Sequence, residues 1–331
     1  MLTAPPLDAD TLLAPLLEER SLLLAVSGGP DSVALMHLAA GWSGRSGRAI
    51  AVATVDHGLR AESRAEAEAV QAAAAALGFA HHLLEWTGDK PSSRLQERAR
   101  EARYALLSAC ARRIGAGAIV TAHHADDQAE TILFRLTRGS GVAGLAGMAA
   151  RTQVHGVALL RPLLGVGKAD LVAYGAAVGA AHAIDPSNDN PAFARVRLRG
   201  LAKTLDAEGL SRAALLRLGA RAAQAEAALA VCAAAAAEAA LVSRSADETR
   251  FESGKLRHLP QELVQRIFAA EIVRFDTQAT IRLDRLERAA QRLLHADGQT
   301  TLAGAILAFS ARDCVISRAP PRRPLHLREQ M

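Results

Sequence analysis

Leu22-Leu23-Leu24-Ala25-Val26 runs without a break into Ser27-Gly28-Gly29-Pro30-Asp31-Ser32, and Val33-Ala34-Leu35-Met36-His37-Leu38-Ala39-Ala40 follows at once. Five consecutive apolar residues suit a strand covered on both faces, and the second run suits the helix that follows it. The loop between them stands at a strand end and a helix start. Two adjacent glycines let backbone amides approach an anion without Cβ interference, Ser27 and Ser32 bring hydroxyls, and the helix N-terminus adds partial positive charge. The segment is read as a cradle for phosphate or pyrophosphate. No lysine follows the glycines, so it is not the triphosphatase loop G-x-x-x-x-G-K-[ST]. Asp31 suits a magnesium ion whose other ligands are phosphate oxygens, which favours chemistry at an α-phosphate over γ-phosphoryl transfer. An ordinary Gly-Gly turn with Asp31 capping a helix is the structural alternative.

Outward from this loop, strands are expected over 50–55, 82–86 and 118–122, alternating with helices over 62–77, 95–114 and 126–138. That alternation predicts a parallel α/β sheet. Ligands of such sheets bind beyond the carboxyl ends of the strands, where segments 27–32, 56–60 and 123–127 fall together.

Chemistry concentrates in Thr121-Ala122-His123-His124-Ala125-Asp126-Asp127-Gln128-Ala129-Glu130-Thr131. At helical spacing either histidine can join Asp127 and Glu130 on one face. A zinc site is the competing idea, but H-E-x-x-H is absent and hard carboxylates match magnesium on phosphates better. Helix capping by Asp126 is the structural alternative. Asp56-His57-Gly58-Leu59-Arg60 ends the second strand, where a backbone edge could read adenine and Arg60 reach phosphates, although Asp-His-Gly is also a good turn. Arg100 and Arg103 lie one turn apart on the 95–114 helix. The stretch 139–147 has too much glycine for a helix and is expected to be a mobile or ligand-approaching loop, or else a passive linker. Within 185–199, Arg195, Arg197 and Arg199 alternate; an extended chain would align them towards a phosphate backbone, and a helix would scatter them.

The 331 residues suffice for two domains. Lys+Arg 39 against Asp+Glu 34 leaves +5, compatible with a polyanionic partner without establishing one. Three scattered cysteines, Cys110, Cys232 and Cys314, argue against a zinc ribbon, a disulfide scaffold or an iron–sulfur site and point to a reducing cytosol. Residues 1–10 lack a basic leader, and no apolar stretch is expected to approach the ~20 residues of a membrane span. The chain is therefore expected to be cytoplasmic, with no membrane partner. Residues 221–240, rich in alanine, look like a connector, followed by helices over 259–275 and 281–295 and short strands over 300–302, 305–310 and 314–318. Domains are accordingly drawn at 1–215 and 216–331, the second comprising a helical linker and a small α+β module, with an extended basic tail at 320–324.

Ser27-Gly28-Gly29-Pro30-Asp31-Ser32 resembles the signature of the N-type ATP pyrophosphatases, the PP-loop superfamily with a Rossmann-like parallel sheet. Together with Val55 to Arg60, Gln96 to Tyr104, Thr121 to Thr131, Arg135 to Gly141, Arg161-Pro162-Leu163-Leu164 and Asp185 to Arg199, it closely resembles the tRNA(Ile)-lysidine synthases over residues 20 to 200. The resemblance implies ATP and magnesium, adenylation of O2 of the wobble cytidine, position 34, in the CAU-anticodon isoleucine tRNA, and displacement of AMP by free L-lysine. The product pairs with A instead of G, moving decoding from AUG to AUA and aminoacylation from methionine to isoleucine. It also implies that Ser27, Gly28, Gly29, Pro30, Asp31, Ser32, Asp56 and His57 bind ATP, with Asp31 nearest magnesium. Arg103 would contact the α-phosphate, His124, Asp127 and Glu130 would shape the reaction site, and Arg195, Arg197 and Arg199 would touch tRNA. The second domain would bind tRNA, and a homodimer is kept open. The alternative is another PP-loop enzyme that modifies tRNA or forms amides; a non-catalytic ATP-gated RNA binder is disfavoured by the intact acids and histidines.

Overall fold

The computed structural model describes residues 7–59, 63–88, 90, 93–182, 194–276 and 279–320, with the side chains of 194 and 195 left aside. Arg60, residues 185–193 and most of the expected basic tail lie outside the described residues. The chain divides into two compact units, 1–223 and 224–331.

In the first unit the elements are α1 (Ala9–Leu13), β1 (Ser21–Ala25), α2 (Pro30–Ser46), β2 (Ala49–Asp56), α3 (Ser63–Ala76), β3 (Ala80–Glu85), α4 (Leu95–Ile114), β4 (Ala118–Val120) and α5 (Ala125–Leu136). They continue with α6 (Val142–Leu145), β5 (Arg151–Val154), β6 (Val157–Leu160), α7 (Lys168–Ala177), α8 (Ala194–Gly200), α9 (Ala202–Ala207) and the start of α10 (Arg212–Ala240). The sheet order is β3-β2-β1-β4-β6-β5, parallel except for β5, which pairs antiparallel with β6. The mostly parallel α/β sheet is the expected one. The β5–β6 hairpin was not anticipated, because Gln153-Val154-His155-Gly156 sits within eight residues of the glycine-rich loop and gives only a short pattern.

β1 explains the unbroken apolar run. Leu22, Leu24 and Val26 face a core with α2, α3 and α7, while Leu23 and Ala25 face a second core with Leu107, Cys110 and Ala111 of α4. Both faces are covered, so alternation of side chains gives no alternation of polarity. β1 is central, pairing β2 on one side and β4 on the other. The chain leaves β1 towards β2 and returns through α4 to β4, so the strand order reverses beside β1, and a crevice is expected at the carboxyl ends of β1 and β4.

Gly28, at the bend between β1 and α2, has φ +89°, and an added Cβ would stand 3.3 Å from Val70 Cγ2. Gly28→Ala is expected to cost about 1–2 kcal/mol, the cost of a left-handed non-glycine residue. Urea unfolding measures it, and a midpoint equal to the parent's would show that the loop relaxes into another backbone conformation.

The glycine-rich stretch differs from expectation. It contains α6 and is fastened to α5: Arg135 Nη1 donates to the carbonyls of Gly144 (2.9 Å) and Gly147 (2.7 Å), and Gln128 exchanges two hydrogen bonds with the backbone of Met148.

The second unit holds the rest of α10, then β7 (Leu241–Arg244), β8 (Glu248–Glu252), α11 (Ser253–Arg257), α12 (Gln261–Phe275), α13 (Leu283–His295), β9 (Gly298–Leu302), β10 (Ala305–Phe309) and β11 (Asp313–Arg318). Its antiparallel sheet runs β7-β8-β11-β10-β9. Phe251, Leu307, Phe309 and Ile316 of the sheet pack on Val264, Phe268 and Ile272 of α12 and Leu293 of α13, with Phe268 and Phe309 stacked at 5.9 Å. β7 and β8 escaped the sequence pattern because Ser243, Arg244, Glu248 and Arg250 interrupt them with polar residues. α10 also corrects an expectation: by length and composition it is apolar enough to cross a membrane. Alanine supplies that apolarity, and a single such helix is weak evidence of a span.

Candidate active site

Two loops meet in the crevice. In the first, Gly29 precedes α2 as its N-cap and Pro30 occupies the first turn, where a missing amide costs nothing. Ser32 Oγ donates to the Gly29 carbonyl (2.9 Å) and accepts from Ser27 N (3.2 Å). The Ser32 hydroxyl thus braces the loop, while the Ser27 side chain lines the cleft. Asp31 lies in the first turn of α2, and its Oδ1 is buried without a hydrogen-bond partner.

In the second loop His124, not Asp126, caps α5. His124 Nδ1 accepts from Asp127 N (3.4 Å) and Asp127 Oδ2 accepts from His124 N (3.1 Å), a reciprocal box in which imidazole takes the usual hydroxyl's place. His124 Nε2 then faces Asp31 Oδ2 at 3.3 Å and Asp127 Oδ2 at 3.5 Å. Burial opposes charge on His124, but the hydrogen bond to Asp31 and the surrounding carboxylates outweigh it and raise its pKa. Burial raises the pKa of Asp127 too, against the pull of His124. Asp126 also lines the cleft, its Oδ2 3.7 Å from His124 Nδ1, while it accepts from Lys168 N (2.8 Å) at the start of α7 and pairs with Arg212 Nη1 (3.0 Å) at the start of α10.

The two histidines differ. His123 Nδ1 lies 2.8 Å from Thr121 Oγ1. Burial and the nearby Arg161, Arg103 and Arg100 guanidiniums hold its pKa at about 3, so it stays neutral. Helical spacing left open which histidine joins the acids and the family resemblance named His124; in the structure it is His124 that lies beside Asp31 and Asp127.

The cleft has a volume of about 560 Å³. Ser27, Gly29, Pro30, Asp31, Ser32, Arg103, His124, Asp127, Glu130 and Arg199 line it. Asp56 and His57 do not. Asp56 Oδ1 accepts from Gly58 N (2.8 Å) and Ser63 Oγ (2.7 Å), and His57 lies edge-on to Trp86 at 5.9 Å. Nor are the three arginines presented by an extended segment: 194–200 is helical, which puts Arg197 and Arg199 on different sides. Arg199 closes on Glu130, Nε to Oε1 at 2.7 Å and Nη2 to Oε2 at 3.0 Å. Lys168 and Arg212, with a wall of Leu133, Leu198, Leu205, Leu210 and Leu215, also line the cleft and were not foreseen. The only sequence signs of the two cations are the starts of their helices, at Gly167-Lys168 and Ser211-Arg212.

Asp31 fits a magnesium ion, since one carboxylate oxygen is buried and unpartnered at the mouth of a phosphate-type loop. Among the described residues no three His, Cys, Asp or Glu side chains form a metal-ligating group.

The PP-loop domain family matches residues 7–205. The chain is 45% identical over 318 residues to a tRNA(Ile)-lysidine synthase of Rhodopseudomonas palustris, covering 92% of each chain. It is 47% identical over 337 residues to one from a Methylobacterium strain, covering 97% of each. Among solved structures, the U34-tRNA thiolase NcsA of Methanococcus maripaludis with its [4Fe-4S] cluster superposes with a TM-score of 0.54 at 15% identity, over 64% of this chain and 75% of that one. That likeness concerns the fold alone. With a PP loop, a helix-capping histidine and two acids gathered in one cleft, and with relatives matching over more than nine-tenths of the chain, the chain belongs to the tRNA(Ile)-lysidine synthase family of PP-loop carbon–nitrogen ligases.

Proposed function

We propose that the chain transfers the AMP moiety of ATP to O2 of cytidine 34 in the CAU-anticodon isoleucine tRNA, releasing pyrophosphate, and then joins free L-lysine to C2, releasing AMP. A urea-like carbonyl is a poor electrophile. Adenylation turns its oxygen into a leaving group; the amine attacks C2, loses a proton, and AMP departs with the C–O electron pair. The protein's task is to position the reactants and to stabilise charge at the α-phosphate.

Residues Ser27, Gly28, Gly29, Pro30 and Ser32 cradle the triphosphate, and the backbone edge at Asp56 and His57, whose side chains are engaged by Gly58, Ser63 and Trp86, reads adenine at the end of β2. Magnesium bound at Asp31 would supply positive charge against the phosphates. Arg103, half-buried and lining the cleft, faces the α-phosphate. His124 orients Asp31, and Asp127, whose pKa burial has raised, accepts the proton from the attacking amine. Arg195 and Arg197 contact tRNA, as does the region 216–331. The reaction uses soluble substrates in the cytoplasm and calls on no membrane. It needs no residue from a second copy, and a homodimer is a matter for light scattering.

The observation that most supports this reading is the single cleft joining the PP loop to Asp127 and Glu130. The test is AMP release from ATP with CAU-anticodon tRNA and each of the twenty amino acids, followed by nucleoside mass analysis. Lysine-dependent AMP with a lysine-modified cytidine is expected. AMP release indifferent to lysine would point to a different PP-loop reaction.

A further inference from the structure

Helix α5 serves two spaces. Asp127, Glu130 and Leu133 line the catalytic cleft, while its last turn and C-cap present Phe134, Thr137 and Arg138 to a separate open groove of about 500 Å³. Arg197 and Leu198 of α8 and Leu201 just after it form the opposite wall. Leu198 lines both spaces, so the groove opens beside the cleft, across a single side chain. The arginines of α8 divide in the same way: Arg199 closes on Glu130, and Arg197 lines the groove.

The groove keeps apolar surface in water, with Phe134 half-buried and Leu201 51% exposed. Arg138 lays its guanidinium over the Phe134 ring, 5.1 Å from the ring centre. Arg138 and Arg197 are both exposed, and no acid lines the groove. An accessible aromatic face, a leucine floor and two cations at the rim are the parts of a site for single-stranded nucleic acid: the ring stacks a base and the guanidiniums meet its phosphates. A peptide strand gains less here, because both walls are helical and offer it no sheet edge to pair with. Reaction at a cytidine also requires that base to leave its stack, which uncovers the face of its neighbour. With the cytidine in the cleft, the neighbouring base is the part of the loop that comes to the groove.

We propose that the groove of Phe134, Arg138, Arg197 and Leu201 binds the nucleobase adjacent to the reacting cytidine, stacked on the Phe134 ring in the place that Arg138 now occupies, with the two guanidiniums on the flanking phosphates. This rests on the reading of an anticodon loop as substrate. It gives the protein a second base-binding point outside the catalytic cleft, and it holds the loop in the form in which the target base stands free of its neighbour.

The test measures the dissociation constant of the intact protein for CAU-anticodon tRNA carrying a single abasic nucleotide at position 33 or 35, with the unaltered tRNA as reference. In the parent, removal of the base at one of these two positions should weaken binding about tenfold, the value of one stacked base. Phe134→Ala should weaken binding of unaltered tRNA by a similar factor and add nothing on that abasic tRNA. Phe134→Trp should restore the preference for the base, and Phe134→Leu, which fills space without a stacking face, should not. Arg138→Ala should weaken all three RNAs and lower the slope of log Kd against log salt by about one, as for loss of one phosphate contact.

Losses from Phe134→Ala and from the missing base that multiply at both positions would overturn the assignment. So would Phe134→Leu binding as well as Phe134→Trp, which would make the ring a packing element, or a parent indifferent to both missing bases. Each of these leaves the tRNA substrate standing. A parent that binds no CAU-anticodon tRNA would overturn the substrate reading itself and the groove with it.

Discussion

Asp31→Asn is expected to slow pyrophosphate release by about a hundredfold to a thousandfold, the range seen when a charge-stabilising group at a reacting centre is removed, with tRNA affinity held within a few-fold. The carboxylate sits in the first turn of α2 with Oδ1 buried and unsatisfied, an arrangement that costs stability unless a ligand answers it. Asparagine has nearly the same shape, so Pro30, Ser32 and the loop they brace should hold. What changes is charge: the amide cannot neutralise a cation, and its NH₂ group would meet the phosphates as a weak donor. Single-turnover pyrophosphate release, measured across a magnesium titration, reads the effect directly. The amide oxygen can still accept from His124 Nε2, so the apo variant is expected to melt close to the parent. Near-normal turnover would take the phosphate and metal role away from Asp31.

The parts legible from the sequence are those whose physics is local. A five-residue apolar run entering Ser27-Gly28-Gly29 can be read as strand and cradle because burial on both faces and a positive φ are demands that few residues meet. Helix α4 was legible end to end, Leu95–Ile114, because Gly115 closes it in the left-handed conformation. What depended on distant contacts was not legible. Arginines at 195, 197 and 199 have the period of a strand, but Leu198 and Leu205 pack against Leu133 and Leu215, and that burial selects a helix. Asp56 and His57 have the composition of a ligand site, yet the nearer partners Gly58, Ser63 and Trp86 take their side chains. By spacing alone His124 was one of two equivalent histidines, and only the family resemblance chose between them, since imidazole is not among the residues that announce a helix start.

That capping role makes His124 separable into structure and chemistry. His124→Asn is expected to retain α5, because asparagine is a good N-cap whose side-chain oxygen can take the Asp127 amide, whereas His124→Ala should lose about 1 kcal/mol of stability. Neither replacement restores the nitrogen 3.3 Å from Asp31 Oδ2. With Nδ1 accepting the amide, the neutral ring carries its proton on Nε2 and donates it to Asp31, fixing the carboxylate's orientation beside the loop. Adenylation by His124→Asn should fall about a hundredfold, within the range for loss of a positioned acid–base group. A second signature follows from the raised pKa. A histidine whose pKa is higher folded than unfolded stabilises the fold fully below about 6.5, the unfolded value, and less as pH rises through the folded value. The melting temperature of the parent should therefore exceed that of His124→Asn by more at pH 6 than at pH 9. A slow variant whose margin is the same at both pH values would mean that His124 works through packing alone, without the charge contact to Asp31.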